Sequence, residues 1–204
     1  MAKVFTKSEP VQMVINMPPA FDMTDEQFFE FCQINSELRI ERTAQGDLII
    51  MPPTGGETSD RNAELTTQLG VWAKQNGAGV SFDSSGGFIL SNGATRSPDA
   101  SWVKRERLAR LTSEQKKRFL PLCPDFVIEL RSPSDTLTVV KEKMEEYVAN
   151  GARLGWLIDT QERQVYIYRP DIEAECLDNP QTLSGESSLP GFILDLRGIW
   201  EPGF

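Results

Sequence analysis

The chain has 204 residues, of which 39% are hydrophobic and 25% charged, a balance that suits one soluble globular domain with a proper core. Its net charge of −9 opposes long-range attraction to nucleic acid, so any such partner must be met at a local site with a cation helping. There is no histidine, which excludes histidine-ligated zinc, Ser-His-Asp and Cys-His catalysis and any histidine general base, leaving carboxylate and lysine chemistry.

Residues 1–20, with Pro10, Pro18 and Pro19, read as an arm without regular structure, and residues 21–204 as a single domain. The start of the chain has no apolar signal core, and no segment approaches a membrane span. Cys32, Cys123 and Cys176 are far apart and odd in number, which suits reduced thiols in a cytoplasmic protein better than a disulfide framework. Thr24-Asp25-Glu26-Gln27 has the form of a capping box and opens a short helix that turns Phe28, Phe31 and Cys32 inward. Leu38 and Ile40 alternate with charged residues, Gly46-Asp47 turns the chain, and Leu48 to Met51 returns as a hairpin with one wet face. Gly55-Gly56 lacks the Gly-Lys-Ser/Thr ending of a phosphate loop. From Ser59 to Asn76, Leu65, Leu69, Trp72 and Ala73 fall at helical spacing, and Asn62 on the same line carries a polar group toward the core.

Val80 and Phe82 with Phe88 to Leu90 predict a second hairpin, and Asn92-Gly93 is the strongest turn signal in the chain. Pro98 can only open a strand, with Asp99 just inside it. Residues 104–120 predict a short helix and loop with a basic run (Lys104, Arg105, Arg107, Arg110, Lys116, Lys117, Arg118). A solvated face is the default reading of that run, and a backbone-phosphate contact is the functional one.

Phe126, Val127 and Ile128 form an apolar run without alternation, which suits a strand covered on both faces. Glu129 follows, a carboxylate that is costly to bury ionised unless paired or metal-bound. Arg131, two positions on, points to the same face, and Ser132-Pro133-Ser134 stops the strand. Both a functional site and a structural ion pair at the sheet rim fit this pattern. Leu137, Val140, Met144, Tyr147 and Val148 return to helical spacing, flanked on opposite sides by Lys141 and Lys143, between which the spacing does not choose. Asn150-Gly151 ends the helix, and Leu154 to Ile158, closed by Asp159, completes a β-α-β unit with a parallel pair. Val165 to Tyr168 pairs onward, residues 171–188 are polar and turn-rich, and Phe192 to Trp200 docks the terminus. The whole is an α/β domain with a mixed sheet.

Pro98-Asp99, then Glu129-Leu130-Arg131, then a lysine on the next helix resembles the PD-(D/E)XK, or restriction-endonuclease-like, superfamily. Within it the chain resembles the Uma2 endonuclease family. The carrying stretches are Ile49 to Gly56, Arg96 to Ser101, Cys123 to Ser134, Lys143-x-x-x-Tyr147, Asn150 to Asp159, Leu189 to Phe192 and Asp195-Leu196, covering nearly everything from Thr24 onward. The resemblance implies an αβββαβ core and hydrolysis of phosphodiester bonds, with DNA as substrate. It further implies Mg²⁺ (or Mn²⁺) held by Asp99, Glu129 and the Leu130 carbonyl. The third position of the motif is Arg131, which cannot act as a base but can clamp a phosphate. By the resemblance the catalytic cation moves to Lys143, and Asn62 lies near a polar substrate-side position on the first core helix. Cutting two strands with this fold implies a homodimer. A non-catalytic assembly protein on the same fold is the alternative, and a carboxylate-pair glycosidase would need sugar-stacking aromatics that only Trp102 could supply.

Overall fold

The computed structural model describes residues 12–18, 21 and 23–203; most of the expected N-terminal arm lies outside them. Along the chain come β1 (Met13–Ile15), α1 (Asp25–Ile34), β2 (Arg39–Arg42), β3 (Leu48–Met51), α2 (Gly56–Asn76), β4 (Gly79–Asp83), β5 (Phe88–Ile89), β6 (Thr95–Arg96) and β7 (Ala100–Lys104). After α3 (Arg105–Ala109) and a 3₁₀ turn (Gln115–Lys117) follow β8 (Phe126–Arg131), α4 (Leu137–Ala149), β9 (Leu154–Asp159), β10 (Gln164–Arg169), β11 (Ile172–Asp178), β12 (Thr182–Ser184), β13 (Ile193–Asp195) and α5 (Arg197–Trp200).

The unalternating run in β8 is explained by its position. It sits inside a six-stranded sheet of order β11-β10-β9-β8-β7-β4, antiparallel to β7 and parallel to β9 from Phe126↔Leu154 to Arg131↔Asp159. Phe126 and Ile128 face one core with Leu65 and Leu69 of α2 and with Trp156 and Phe192; Val127 faces the other with Leu157, Val140 and Met144 of α4. Such burial removes both faces of β8 from water, and a polar residue between them needs a partner. The elements α2, β4, β7, β8, α4 and β9 make the αβββαβ core, in a mixed α/β fold.

A second sheet, of order β1-β3-β2-β6-β5, lies beside this core. The hairpin of β2 and β3 forms, but not with the expected wet face, since Glu41 and Arg42 are buried and Leu38 is exposed; β1 adds to β3 at Met13–Ile15, a strand within the stretch that reads as an irregular arm. Asn92-Gly93 turns β5 into β6, with Gly93 at φ +90°. Thr24 caps α1 and Gln27 returns the reciprocal bond, as the capping box requires.

Two further local expectations differ from the structure. The second hairpin does not form: β4 pairs with all of β7 in the central sheet, while β5 pairs with β6 in the other. Five registered pairs with β7 outweigh what the short β5 could offer β4, and Phe88 instead bridges to Leu120. Within the turn-rich stretch 171–188, β11 extends the central sheet as an exposed edge and β12 pairs with β13. Its polar sequence fits a strand that only one neighbour covers.

Close approach makes two glycines unequal. A Cβ at Gly79 would meet the Trp102 indole at 2.2 Å, and one at Gly155 would meet the terminal methyl of Met144 at 2.5 Å. The indole is buried and rigid, whereas the Met144 methyl can swing aside. Gly79→Ala is therefore expected to lower stability by about 1–3 kcal/mol and Gly155→Ala by less. Urea unfolding of both variants checks this, and equal losses would contradict the account.

Candidate active site

Asp99 immediately precedes β7 and Glu129 lies near the end of β8, so antiparallel pairing of Ala100 with Ile128 brings them to one edge of the sheet. The Leu130 amide donates to Asp99 Oδ2 at 2.9 Å, fixing one carboxylate against the backbone beside the other. Both side chains are largely buried, Asp99 at 8% and Glu129 at 6% exposure. Asn62 of α2 donates to Asp99 Oδ1 at 3.4 Å, and Arg39 of β2 approaches the same oxygen at 3.5 Å.

Lys143 of α4 resolves the choice that helical spacing leaves open. Its Nζ lies 2.9 Å from Glu129 Oε1 and 2.9 Å from Glu41 Oε1. Lys141 instead rests on the Tyr166 ring, 3.8 Å from its centroid. Tyr147, one turn beyond Lys143, donates its hydroxyl to the same Glu129 oxygen at 2.9 Å. Glu41 is held in turn by the Ser97 amide at 2.9 Å and by Arg96 at 3.2 Å, and Arg96 reaches Glu146 of α4 at 2.6 Å.

Two carboxylates share one ammonium, yet they titrate in opposite directions. Burial opposes ionisation of Glu41, but Lys143, Arg96 and the Ser97 amide outweigh it and hold its carboxyl below the ordinary range. Burial also opposes ionisation of Glu129; there Lys143 is the main compensating group while Asp99 and Glu41 add repulsion, and the pKa rises to about 7. Lys143 loses stability as a cation through burial but gains more from Glu129 and Glu41, so its pKa is raised. It stays protonated near neutrality, which suits positioning and charge balance rather than proton abstraction.

Arg131 shares a face with Glu129 but turns toward β9. Its guanidinium pairs with Asp159 at 2.6 Å, its neighbour in the parallel register, and also donates to the Asp135 carbonyl at 3.3 Å. The Asp159 pair engages Nη1 and the Asp135 carbonyl engages Nε, while Nη2 makes no hydrogen bond among the described residues. Trp102 is 2% exposed and packs at a tilt against Trp72, away from a sugar-binding role. Burial pushes the Cys32 thiol up to about 11 and the Cys123 thiol up to about 12, and all three cysteines are free.

Glu41, Arg39 and Arg96 are the functional candidates that the sequence pattern does not single out. In the hairpin, Arg39 and Glu41 alternate with Leu38 and Ile40 and read as its wet face. Glu41 is nevertheless only 2% exposed. The one available signal is that the Arg96-Ser97-Pro98-Asp99 motif carries a cation needing a carboxylate of its own.

A family model described as "Uma2: Putative restriction endonuclease" matches residues 25–197. The chain belongs to the Uma2 family. Among solved structures it is similar to "a putative nuclease belonging to DUF820" from Anabaena variabilis, with a TM-score of 0.71 and 22% identity, covering 87% of this chain and 97% of that one. No curated protein matches. The family match shows the family and the structural similarity the fold, and neither assigns a role to a particular residue.

The donor set suits a hydrated divalent cation. Lys143 and Tyr147 both meet Glu129 Oε1, and Oε2 takes no hydrogen bond among the described residues. Asn62 Oδ1 is buried without a partner beside Asp99. No group of three or more Cys, Asp or Glu side chains poised to enclose an ion occurs among the described residues. Two carboxylates with water completing the shell is the arrangement Mg²⁺ commonly accepts.

The opposite shifts give two stability tests. Glu41 has a depressed folded pKa, so its contribution is present above the unfolded value and lost as pH falls through the folded one. Glu41→Ala would leave Lys143 and Arg96 without this buried partner, and a loss of about 3–5 kcal/mol in thermal or urea unfolding at pH 7 is expected. Glu129, with a folded pKa of about 7, contributes fully below about 4.5 and loses that contribution as pH rises through about 7. In EDTA, Glu129→Gln is expected to gain on the wild type by roughly 2 kcal/mol between pH 5 and pH 8. A stability difference that stays flat over that interval would show that Glu129 is not strained as a carboxylate.

Proposed function

We propose that this Uma2 protein is a metal-dependent endonuclease that hydrolyses phosphodiester bonds of DNA. The observation that carries the reading is one lysine ammonium 2.9 Å from Glu129, beside an Asp99 that is hydrogen-bonded to the next backbone amide. Asp99, Glu129 and the Leu130 carbonyl are the proposed ligands of Mg²⁺, with Mn²⁺ as a substitute. Such an ion, when bound, offsets phosphate charge and makes water more acidic. Lys143 orients the attacking water and balances charge developing on the phosphate, and Glu41 with Arg96 fixes where that ammonium stands. Arg39 and Asn62 border Asp99 and are the proposed substrate-side contacts. Arg131 holds the end of β8 to β9 through Asp159, and its remaining N–H donors are the proposed phosphate contact. Cutting both strands of a duplex would take two copies of the chain.

One observation favours a second reading, a non-catalytic binding or assembly protein on the same fold. Lys143, Arg39 and Arg131 already pair with Glu129, Asp99 and Asp159, so the site is charge-compensated by its own residues. Titration calorimetry with Mg²⁺ and Mn²⁺ at low salt, followed by a cleavage screen on DNA and RNA, separates the two. The nuclease reading expects a site of about millimolar affinity or tighter that vanishes in Asp99→Ala. It also expects Lys143→Gln to retain the metal while cleavage falls by about 10²-fold or more. Failure of the wild type in both the metal titration and the cleavage screen would move the assignment to the second reading.

A further inference from the structure

The basic run of residues 104–118 lies apart from the carboxylate site. It holds seven cations against Glu106 and Glu114, a net +5, so the rest of the chain carries −14 within the total of −9. Lys104, Arg105, Arg110, Lys116, Lys117 and Arg118 are all exposed. Only part of this charge is spent internally. Arg107 pairs with Asp125, Lys117 with Glu114, and Arg105 donates to the Gly77 carbonyl behind α2.

Two adjoining open clefts, of about 370 and 300 Å³, meet at Lys116. Arg105 lines the first, and Lys117 and Arg118 line the second beside the Ser85-Gly86-Gly87 turn. Phe119, which also lines the second cleft, is wedged against Gly87, where a Cβ would meet its ring at 2.1 Å. The cations therefore project from a packed ledge. β7 connects the two regions, because Asp99 precedes its first residue and Lys104 is its last. Five residues of strand span about 17 Å, which is about five base-pair steps of a duplex.

We infer that this ledge is a second nucleic-acid contact, binding backbone phosphates away from the bond at the carboxylate site. A polyanion is the occupant that a concentrated positive surface on an otherwise acidic chain complements. Backbone phosphates carry no sequence information, so the contact positions the strand and does not select bases. The inference rests on nucleic acid being the ligand of the proposed function, but it does not depend on cleavage.

The test measures anisotropy of labelled 30-base-pair DNA and of the corresponding single strand in EDTA, across 50–200 mM salt. Lys116→Gln/Lys117→Gln/Arg118→Gln is compared with Arg163→Gln/Arg169→Gln/Arg197→Gln, which removes the same charge from exposed or half-exposed positions elsewhere. The ledge variant is expected to bind at least about 10-fold more weakly at 100 mM salt, with a log–log salt slope smaller by about 2–3, while the control changes by less than about 3-fold. Equal losses in both triples, no loss in the ledge triple, or a wild type that binds neither probe would each overturn it. Binding through the ledge without cleavage in Mg²⁺ or Mn²⁺ would sink the nuclease reading and leave the ledge standing. Cleavage by a wild type whose binding ignores the ledge mutations would do the reverse.

Discussion

The ammonium of Lys143, held between Glu41 and Glu129, is the interaction on which the rest of the site depends. A buried charge is tolerated only where partners replace water, and here the partners come from both sheets. Glu41 belongs to β2 of the smaller sheet, Glu129 to β8 of the central one, and Lys143 to the helix lying against it. One ammonium therefore ties the smaller sheet to the core at the edge where Asp99 and Glu129 meet. The smaller sheet is part of the site and not decoration.

The two carboxylates on that ammonium are unequal for a simple reason of company. Glu41 has a second cation in Arg96 and an amide from Ser97, while Glu129 looks across at Asp99 and Glu41. Glu41 is consequently a structural anion, and Glu129 is an acid poised near neutrality. Such a carboxyl exchanges its proton readily for another positive charge. One carboxylate on the ammonium is thus settled as an anion and the other is not. Strand register accounts for the cation sitting on α4. In β8, Arg131 falls opposite Asp159 in the parallel register and is drawn to it, whereas Lys143 descends on Glu129 from the helix.

Much of the core was legible because it follows local rules. The unalternating apolar run of β8, the β-α-β unit after it and the capping box of α1 each report the structure directly. Asp99 and Glu129 were legible as a pair through the resemblance of Pro98-Asp99 and Glu129-Leu130-Arg131 to the PD-(D/E)XK motif. What escaped was set by tertiary pairing. Nothing local in Val80 to Leu90 says that β4 pairs with β7 while β5 joins another sheet, since a turn between two apolar runs is equally a hairpin. Glu41 escaped for a related reason. Alternation in β2 marks a wet face, and only the approach of α4 and Arg96 buries it. The choice between Lys141 and Lys143 likewise needed the position of Tyr166, a residue on another strand.

The overall negative charge first argues against a nucleic-acid partner, but total charge is a weak guide at contact distance. At physiological ionic strength the screening length is about 8 Å, so a charge on one face is scarcely felt about 17 Å away on another. The distribution matters more. Along β7 the chain runs from Asp99, among compensated carboxylates, to Lys104 at the start of a segment of net +5. The same strand that fixes the carboxylate edge thus also fixes where the positive surface lies. Acidic residues elsewhere then oppose binding in other orientations more than they oppose binding itself.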